Sequence, residues 1–191
     1  MNTPDPQIEL VGKCLISMPD MPDPRFQSSV IFICAHSAEG AMGLIVNKRV
    51  QDVELGDLMN QLSIPKGDTS PDLPIYFGGP VEHGRGFVLH GADYKSELST
   101  MQTGLHFAMT ATIDILEDIG AHKGPERALI ALGYAGWGPG QLEQEIAANG
   151  WLLADVGPDI IFDTPDSQKW SASLGAIGID PAILSSSGGS A

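Results

Sequence analysis

The sequence predicts a single domain of the mixed α+β class. Strand-like apolar runs cluster in the first half of the chain, with hairpins among them, whereas amphipathic helices cluster in the second half. This order differs from the strand–helix alternation of a doubly wound parallel sheet. The 191 residues, 42% hydrophobic and 18% charged, are typical of one globular domain, and no repeat or long linker divides 1–191.

The strands are predicted from apolar runs that end at turn residues. The run at 28–35 is almost continuously apolar, which favours a strand buried on both faces. A turn at 37–40 joins it to the next run in a hairpin, and a Gly-Gly-Pro turn at 78–80 separates two later strands. The predicted strands are 8–17, 28–35, 41–48, 75–77, 86–90, 105–109, 127–134 and 151–154.

The helices are predicted from apolar residues at helical spacing. Leu55, Leu58, Met59 and Leu62 stand at i, i+3, i+4 and i+7 and predict a short helix. The two ends of the chain have compositions that bury little apolar area, so we expect them to be disordered. The remaining predicted segments are helices at 113–119, 141–148 and 170–177, a turn at 181–184, and disordered ends at 1–7 and 185–191.

Charge and hydropathy exclude several classes of partner. The net charge is −14, from 10 basic and 24 acidic residues, and Lys48-Arg49 is the only adjacent basic pair. Because nucleic acids are bound by neutralising their phosphates, we predict no nucleic-acid partner. No apolar run approaches the roughly 20 residues of a membrane span, and the first residues lack the basic and apolar regions of a signal peptide. We therefore expect a cytoplasmic protein with no membrane association.

The two cysteines lie inside apolar strand-like runs. We predict that Cys14 and Cys34 are reduced and buried. On a strand Cys34 and His36 would share a face and could bind one metal ion, given a further ligand such as His90 or Cys14. Hydrogen-bonded structural histidines are the favoured interpretation, so we predict neither a metal nor another cofactor.

No complete catalytic, metal or cofactor motif occurs in the sequence, and the two glycine-rich segments allow two interpretations each. The segment 133–140 runs from a predicted strand into a predicted helix, where backbone N–H groups could bind an anion. A tight structural turn is favoured, because Pro139 suits a helix start and Glu143 and Glu145 would repel an anion. The turn at 78–80 could likewise admit a ligand, and a conformational role is again favoured.

The three tryptophans, Trp137, Trp151 and Trp170, lie in or beside apolar segments. We predict that they anchor the core or its rim, and that Trp137 folds back onto the core from the glycine-rich turn. An exposed tryptophan would instead mark a surface for a partner.

Several short blocks together resemble the YqgE/AlgH family across about 10–184. The quoted blocks are Gly12-x-x-Leu15-Ile16-x-x-Pro19, Asp23-Pro24-x-Phe26, Ser29-Val30-Ile31, His36, Gly40-Ala41-x-Gly43-Leu44-Ile45-x-Asn47, Gly78-Gly79-Pro80-Val81, Leu89-His90, Gly133-Tyr134-x-Gly136-Trp137-x-x-Gly140-Gln141-Leu142-Glu143-x-Glu145 and Asn149-x-Trp151. The resemblance implies a bent or bifurcated β-sheet that includes a small barrel and is surrounded by helices. It also implies a bacterial protein. The family is labelled a transcriptional regulator because of a link to alginate production, and it has no agreed catalytic residues.

Three hypotheses on function follow. The leading one is a non-catalytic cytosolic protein that acts by binding a protein or small-molecule partner. The second is a regulator that binds DNA directly, which the charge opposes, and the third is an enzyme of unrecognised type. The enzyme hypothesis would gain if Asn47, Gly79, His90 and Trp137 lined one hollow. The candidate ligand or partner residues are His36, Asn47, Gly78, Gly79, His90, Gly136, Trp137, Gln141 and Glu143.

Overall fold

A computed structural model describes residues 9–65, 67 and 72–185. Of the predicted disordered ends at 1–7 and 185–191, residues 1–7 and 186–191 lie outside the described residues, whereas Ser185 is the last residue of the final helix. The strands are β1 (Cys14–Ser17), β2 (Val30–Ser37), β3 (Gly40–Ile45), β4 (Ile75–Phe77), β5 (Val81–Gly91), β6 (Met101–Gln102), β7 (Phe107–Thr110), β8 (Ala128–Trp137) and β9 (Trp151–Ala154). The helices are α1 (Leu55–Gln61), α2 (Asp114–Gly120), α3 (Gln141–Ala147), a π-helical turn (Asp159–Asp163), α4 (Asp166–Ala176) and α5 (Pro181–Ser185).

The strands form one sheet that forks at β8. The strand order is β6-β7-β5-β8-β3-β2-β1-β9, and neighbours along this path are antiparallel. The first half of β8 lies between β5 and the short parallel strand β4, whereas its last three residues pair with β3. The sheet curls into a half-barrel with helices packed on it, which confirms the predicted mixed fold with a bent, bifurcated sheet.

Both faces of the curled sheet are buried. In β2 the fully buried Phe32 packs with Leu44 and Leu89 in one apolar cluster, and its neighbour Ile31 packs in a second cluster with Trp137. Successive strand residues point to opposite faces, so the continuous apolar run of this strand supplies both clusters, as predicted. A third cluster lies under α1 and α2. No helix among the described residues is both long and apolar enough to cross a membrane.

The glycine-rich segment differs from its prediction. The strand β8 continues through Trp137, so the turn covers only residues 138–140 rather than 133–140. Ala135 and Trp137 are buried and Gly136 is exposed, which is the alternation of an ordinary strand. Within this segment Gly133 and Gly140 adopt positive φ values of +74° and +71°, a conformation that glycine reaches at little cost.

Other element boundaries also moved. The first strand begins at Cys14 rather than at residue 8, because Gly12 adopts a φ of +85° beside the backbone of Thr103. The strand after the Gly-Gly-Pro turn begins at Val81 rather than at 86. The short β6 and the π-helical turn were not predicted, since neither has a distinctive periodicity.

Candidate functional site

The fork of the sheet holds an open groove of about 620 Å³. Between Val81 and Gly86 the strand β5 leaves β8, so that four residues of β5 lie opposite the single residue Gly133. The gap that opens there is bounded by the ends of β2 and β3 and by β7. Its apolar lining consists mainly of Met42, Phe87, Met101, Met109, Tyr134 and Trp137.

Charged and polar side chains also line this groove. His36, Glu39, Glu82 and Arg85 contribute to the groove. The Arg85 guanidinium lies 5.1 Å from the centre of the Phe87 ring and 3.5 Å from the Glu82 carboxylate. Glu82 has a φ of +49°, a left-handed conformation that costs a non-glycine residue about 1–2 kcal/mol. Such strain is concentrated at functional sites in proteins, which makes the 82–85 excursion a candidate part of the site.

A histidine–carboxylate pair ties the groove to α3. His36 at the end of β2 donates from Nε2 to the carboxylate of Glu143. This hydrogen bond lowers the pKa of the Glu143 carboxyl. The pair links two predicted candidates at the edge of the groove.

The buried Trp137 is held by the carboxylate of Glu145, which is not among the residues predicted to form a site. Its indole Nε1 donates to Glu145 Oε2 at 2.8 Å, and Trp151 Nε1 donates to the same oxygen at 2.9 Å. The Gln141 side-chain Nε2 donates to the other oxygen, Glu145 Oε1, at 3.0 Å, while Gln141 Oε1 accepts from the Gly138 N–H. These five residues form one hydrogen-bonded unit that closes the 138–140 turn and fixes a wall of the groove.

The other predicted candidates lie away from the groove. Asn47 accepts from Val30 N at 3.0 Å and donates to Ser28 O at 2.8 Å, which fixes the chain before β2. His90 is fully buried, and burial lowers its pKa. Its Nδ1 donates to Gly91 O at 2.7 Å, so the neutral ring accepts from the Thr110 hydroxyl at Nε2.

Gly78 and Gly79 allow two strands to approach closely. A Cβ on Gly79 would lie 2.0 Å from the carbonyl carbon of Tyr134, and one on Gly78 would lie 2.2 Å from the oxygen of Gly133. Gly136, in contrast, is exposed within β8. Of Asn47, Gly79, His90 and Trp137, only Trp137 lines the groove, so the enzyme hypothesis does not gain support from these residues.

The prediction of two free, buried cysteines is confirmed. Cys14 and Cys34 are each at most 1% exposed. Burial raises the pKa of the Cys34 thiol to about 12 and also raises the pKa of the Cys14 thiol. Cys34 lies in the core, whereas His36 reaches the groove. Within the described ranges, no group of three or more histidine, cysteine, aspartate or glutamate side chains could hold a metal ion.

A buried lysine in α4 was not anticipated from the sequence. Lys169 is 1% exposed, donates to Val46 O at 2.8 Å, and lies 3.0 Å from Asp166 Oδ1. Burial lowers the pKa of Lys169. Burial alone would raise the pKa of Asp166, but hydrogen bonds from Tyr76 and Lys169 hold it below its ordinary value. The i, i+3 spacing of Asp166 and Lys169 is the signal in the sequence that could have indicated this pair. Through contacts with Val46 and Tyr76, the pair holds α4 against the sheet.

Several basic side chains are paired with nearby carboxylates. All four arginines form ion pairs with carboxylates, namely Arg25 with Asp23, Arg49 with Asp166, Arg85 with Glu82, and Arg127 with Asp159 and Asp163. Lys13 likewise pairs with Asp155. The pairing leaves these charges poorly placed to form a continuous positive face.

A curled half-barrel sheet with a groove at its fork defines the structural class of this protein. The chain belongs to the AlgH-like family, whose sequence profile matches residues 14–182. It is 52% identical over 192 residues to a UPF0301 protein of Jannaschia sp. (strain CCS1), covering all of both chains. It is 54% identical over 185 residues to a UPF0301 protein of Ruegeria pomeroyi, covering 96% of this chain and all of that one.

Two solved structures share the fold. The solution structure of the AlgH protein from Pseudomonas aeruginosa matches all of both chains with a TM-score of 0.75 and 39% identity. The crystal structure of protein DIP2367 from Corynebacterium diphtheriae matches with a TM-score of 0.72 over 97% of this chain and 94% of that one. At 23% identity, the second likeness shows the fold alone.

Proposed function

We propose that this chain is a non-catalytic cytoplasmic protein that acts by binding a partner in the groove at the fork of the sheet. The observation that carries the proposal is the groove itself, with an apolar aromatic lining and a charged rim. Its volume of about 620 Å³ lies within the roughly 300–1,000 Å³ of ordinary ligand sites. Binding sites characteristically combine such a lining with a few polar groups that orient the ligand.

The construction of the groove supports a binding role. Trp137 is held rigid through Glu145, and Tyr134 packs edge-on against Phe87 with ring centres 5.8 Å apart. Rigid aromatic side chains lose little conformational entropy on binding and are common anchors of interfaces. Met101 is 45% exposed, so apolar area remains available to a partner.

The rival hypothesis of a regulator that binds DNA directly is opposed by charge. The groove lining includes two glutamates, Glu39 and Glu82, and its one arginine is paired with Glu82. The net charge of −14 would repel a duplex on approach.

The methionines of the chain provide an assay. Met42, Met101 and Met109 line the groove, whereas Met18, Met21 and Met59 lie elsewhere and serve as internal controls. The chain would be labelled with ¹³C at its methionine methyl groups. Its NMR spectrum would then be recorded in the presence of a fragment library and of proteins that copurify with it. We expect ligands to shift the three groove methyl signals and to leave the controls in place. Ligands that bind tightly and shift only the control methyl signals would contradict the proposal.

A further inference from the structure

A second apolar hollow adjoins the groove. It has a volume of about 240 Å³ and lies between α1, α2 and β5. Its lining includes Leu58, Leu62, Val88, Ile113, Leu116 and Leu132. Arg85, Ala111 and Thr112 line both the groove and this second hollow, so the two hollows share part of their walls.

Of the seven exposed large hydrophobic side chains among the described residues, three line the two hollows. Among the described residues the exposed large hydrophobic side chains are Leu62, Val81, Leu98, Met101, Leu105, Ile113 and Ile183. Met101 lines the groove, and Leu62 and Ile113 line the second hollow. Val81 and Leu98 are the chain neighbours of the lining residues Glu82 and Ser99. Scattered exposed hydrophobic residues are normal in proteins, whereas a cluster marks an interaction surface.

The charge around this surface is negative. The α1 and α2 sequences carry Asp57, Asp114, Glu117 and Asp118 and no lysine or arginine. The groove adds two glutamates. Among the described residues, Arg85 is the only lysine or arginine that lines either hollow, and Glu82 already pairs with it.

We propose that the groove and the second hollow form one docking surface for a basic, amphipathic segment of a partner protein. This inference rests on the proposed function and adds the chemical class of the partner. Apolar side chains of the segment occupy the two hollows on either side of Arg85, and its lysines or arginines face the surrounding carboxylates. A single small molecule in the groove would leave Leu62 and Ile113 exposed, whereas a segment that crosses Arg85 covers them. Complementary charge favours encounter and orientation of such a partner.

The test uses two fluorescent peptides of about twelve residues, one alternating leucine with lysine and the other alternating leucine with glutamate. Binding to the full chain would be measured by anisotropy at about 0.15 M salt. We expect the lysine peptide to bind and to shift the groove methionine signals, and the glutamate peptide to bind at least about fivefold more weakly. Equal binding of the two peptides would overturn the charge argument.

Matched variants locate the site. Met101→Gln in the groove and Ile113→Thr in the second hollow should each lower the affinity for the lysine peptide by about fivefold or more. Leu105→Gln is the control, because Leu105 is 80% exposed and lines a different hollow beside Gly12 and Gly104. Glu39→Gln and Glu117→Gln should also weaken binding, in contrast to the control Glu9→Gln in that other hollow. Losses at Met101 with none at Ile113 would refute the two-hollow surface and leave the proposed groove function standing. Equal losses in the controls would refute specific docking.

Discussion

Replacement of Trp137 by alanine tests the unit that builds one wall of the groove. The indole is 8% exposed and packs edge-on against Trp151, with ring centres 6.3 Å apart and planes at 81°. Its Nε1 also donates to Glu145 at 2.8 Å. Trp137→Ala removes the packed ring and this hydrogen bond, and core changes of this size cost about 3–5 kcal/mol.

The expected loss is large relative to the stability of a domain. Folded domains have about 5–15 kcal/mol of unfolding free energy in total. For a chain of this length each kcal/mol moves the melting temperature by about 2–4 °C, so Trp137→Ala should melt roughly 6–20 °C below wild type. Trp137→Phe keeps an aromatic ring but loses the N–H that donates to a carboxylate, which should lower the free energy of unfolding by about 1.5–3 kcal/mol.

The assay is urea unfolding followed by circular dichroism, with thermal melts as a second measurement. We expect the free energy of unfolding to decrease from wild type to Trp137→Phe and again to Trp137→Ala. If Trp137→Ala unfolds within about 1 kcal/mol of wild type, the indole does not support the fold. It would then be better explained as part of the partner surface alone.

Four further predictions follow from the contacts. Gly79→Ala should destabilise by more than about 2 kcal/mol or prevent folding, whereas Gly136→Ala, whose Cβ would lie 3.4 Å from the Tyr134 ring, should cost less than about 1 kcal/mol in urea unfolding. Because Cys14 and Cys34 are buried and their thiol pKa values are raised, both should react with a thiol reagent only on unfolding, and rapid native labelling would contradict this. The pKa of Asp166 is lowered in the folded state, so its carboxylate stabilises the fold above the usual aspartate pKa near 4. This stabilisation is lost as the pH falls below that value, and the difference in free energy of unfolding between wild type and Asp166→Asn should then disappear. In an electrophoretic shift assay at physiological salt the chain should not bind duplex DNA, and sub-micromolar, salt-dependent binding would show that the charge argument is wrong.

Local patterns were sufficient to predict much of the fold. The apolar run of β2 indicated burial on both faces, and the leucine spacing indicated α1, because both depend only on the direction of successive side chains. Glycine was harder to interpret, since it serves both where φ is positive and where two backbones approach. The glycine-rich pattern therefore predicts a turn at Gly136, although this residue lies in β8, exposed between the buried Ala135 and Trp137.

The candidate site was only partly predictable for a different reason. His36, Trp137 and Glu143 were identified because they stand within recognisable blocks of sequence. The residues that open the groove, Glu82 and Arg85, depend on where β5 leaves β8, which is a property of pairing between segments about fifty residues apart. Asn47 and His90 were selected for the same polar character, but their hydrogen bonds are satisfied by nearby chain.

The role of the family blocks becomes clearer from their contacts. Trp137, Gln141, Glu145 and Trp151 stand in two of those blocks, and all their side chains meet at one carboxylate. A carboxylate that accepts three donors holds each of them in a single geometry, which is how binding sites are made rigid before a ligand arrives. The same residues therefore stabilise the junction of β8 with α3 and position the indole that lines the groove. We therefore expect stability and the proposed partner binding to respond differently to two kinds of substitution. Changes at Glu145, inside this unit, should alter both, whereas changes at Met101, which lies outside the unit and is 45% exposed in the groove lining, should alter binding alone.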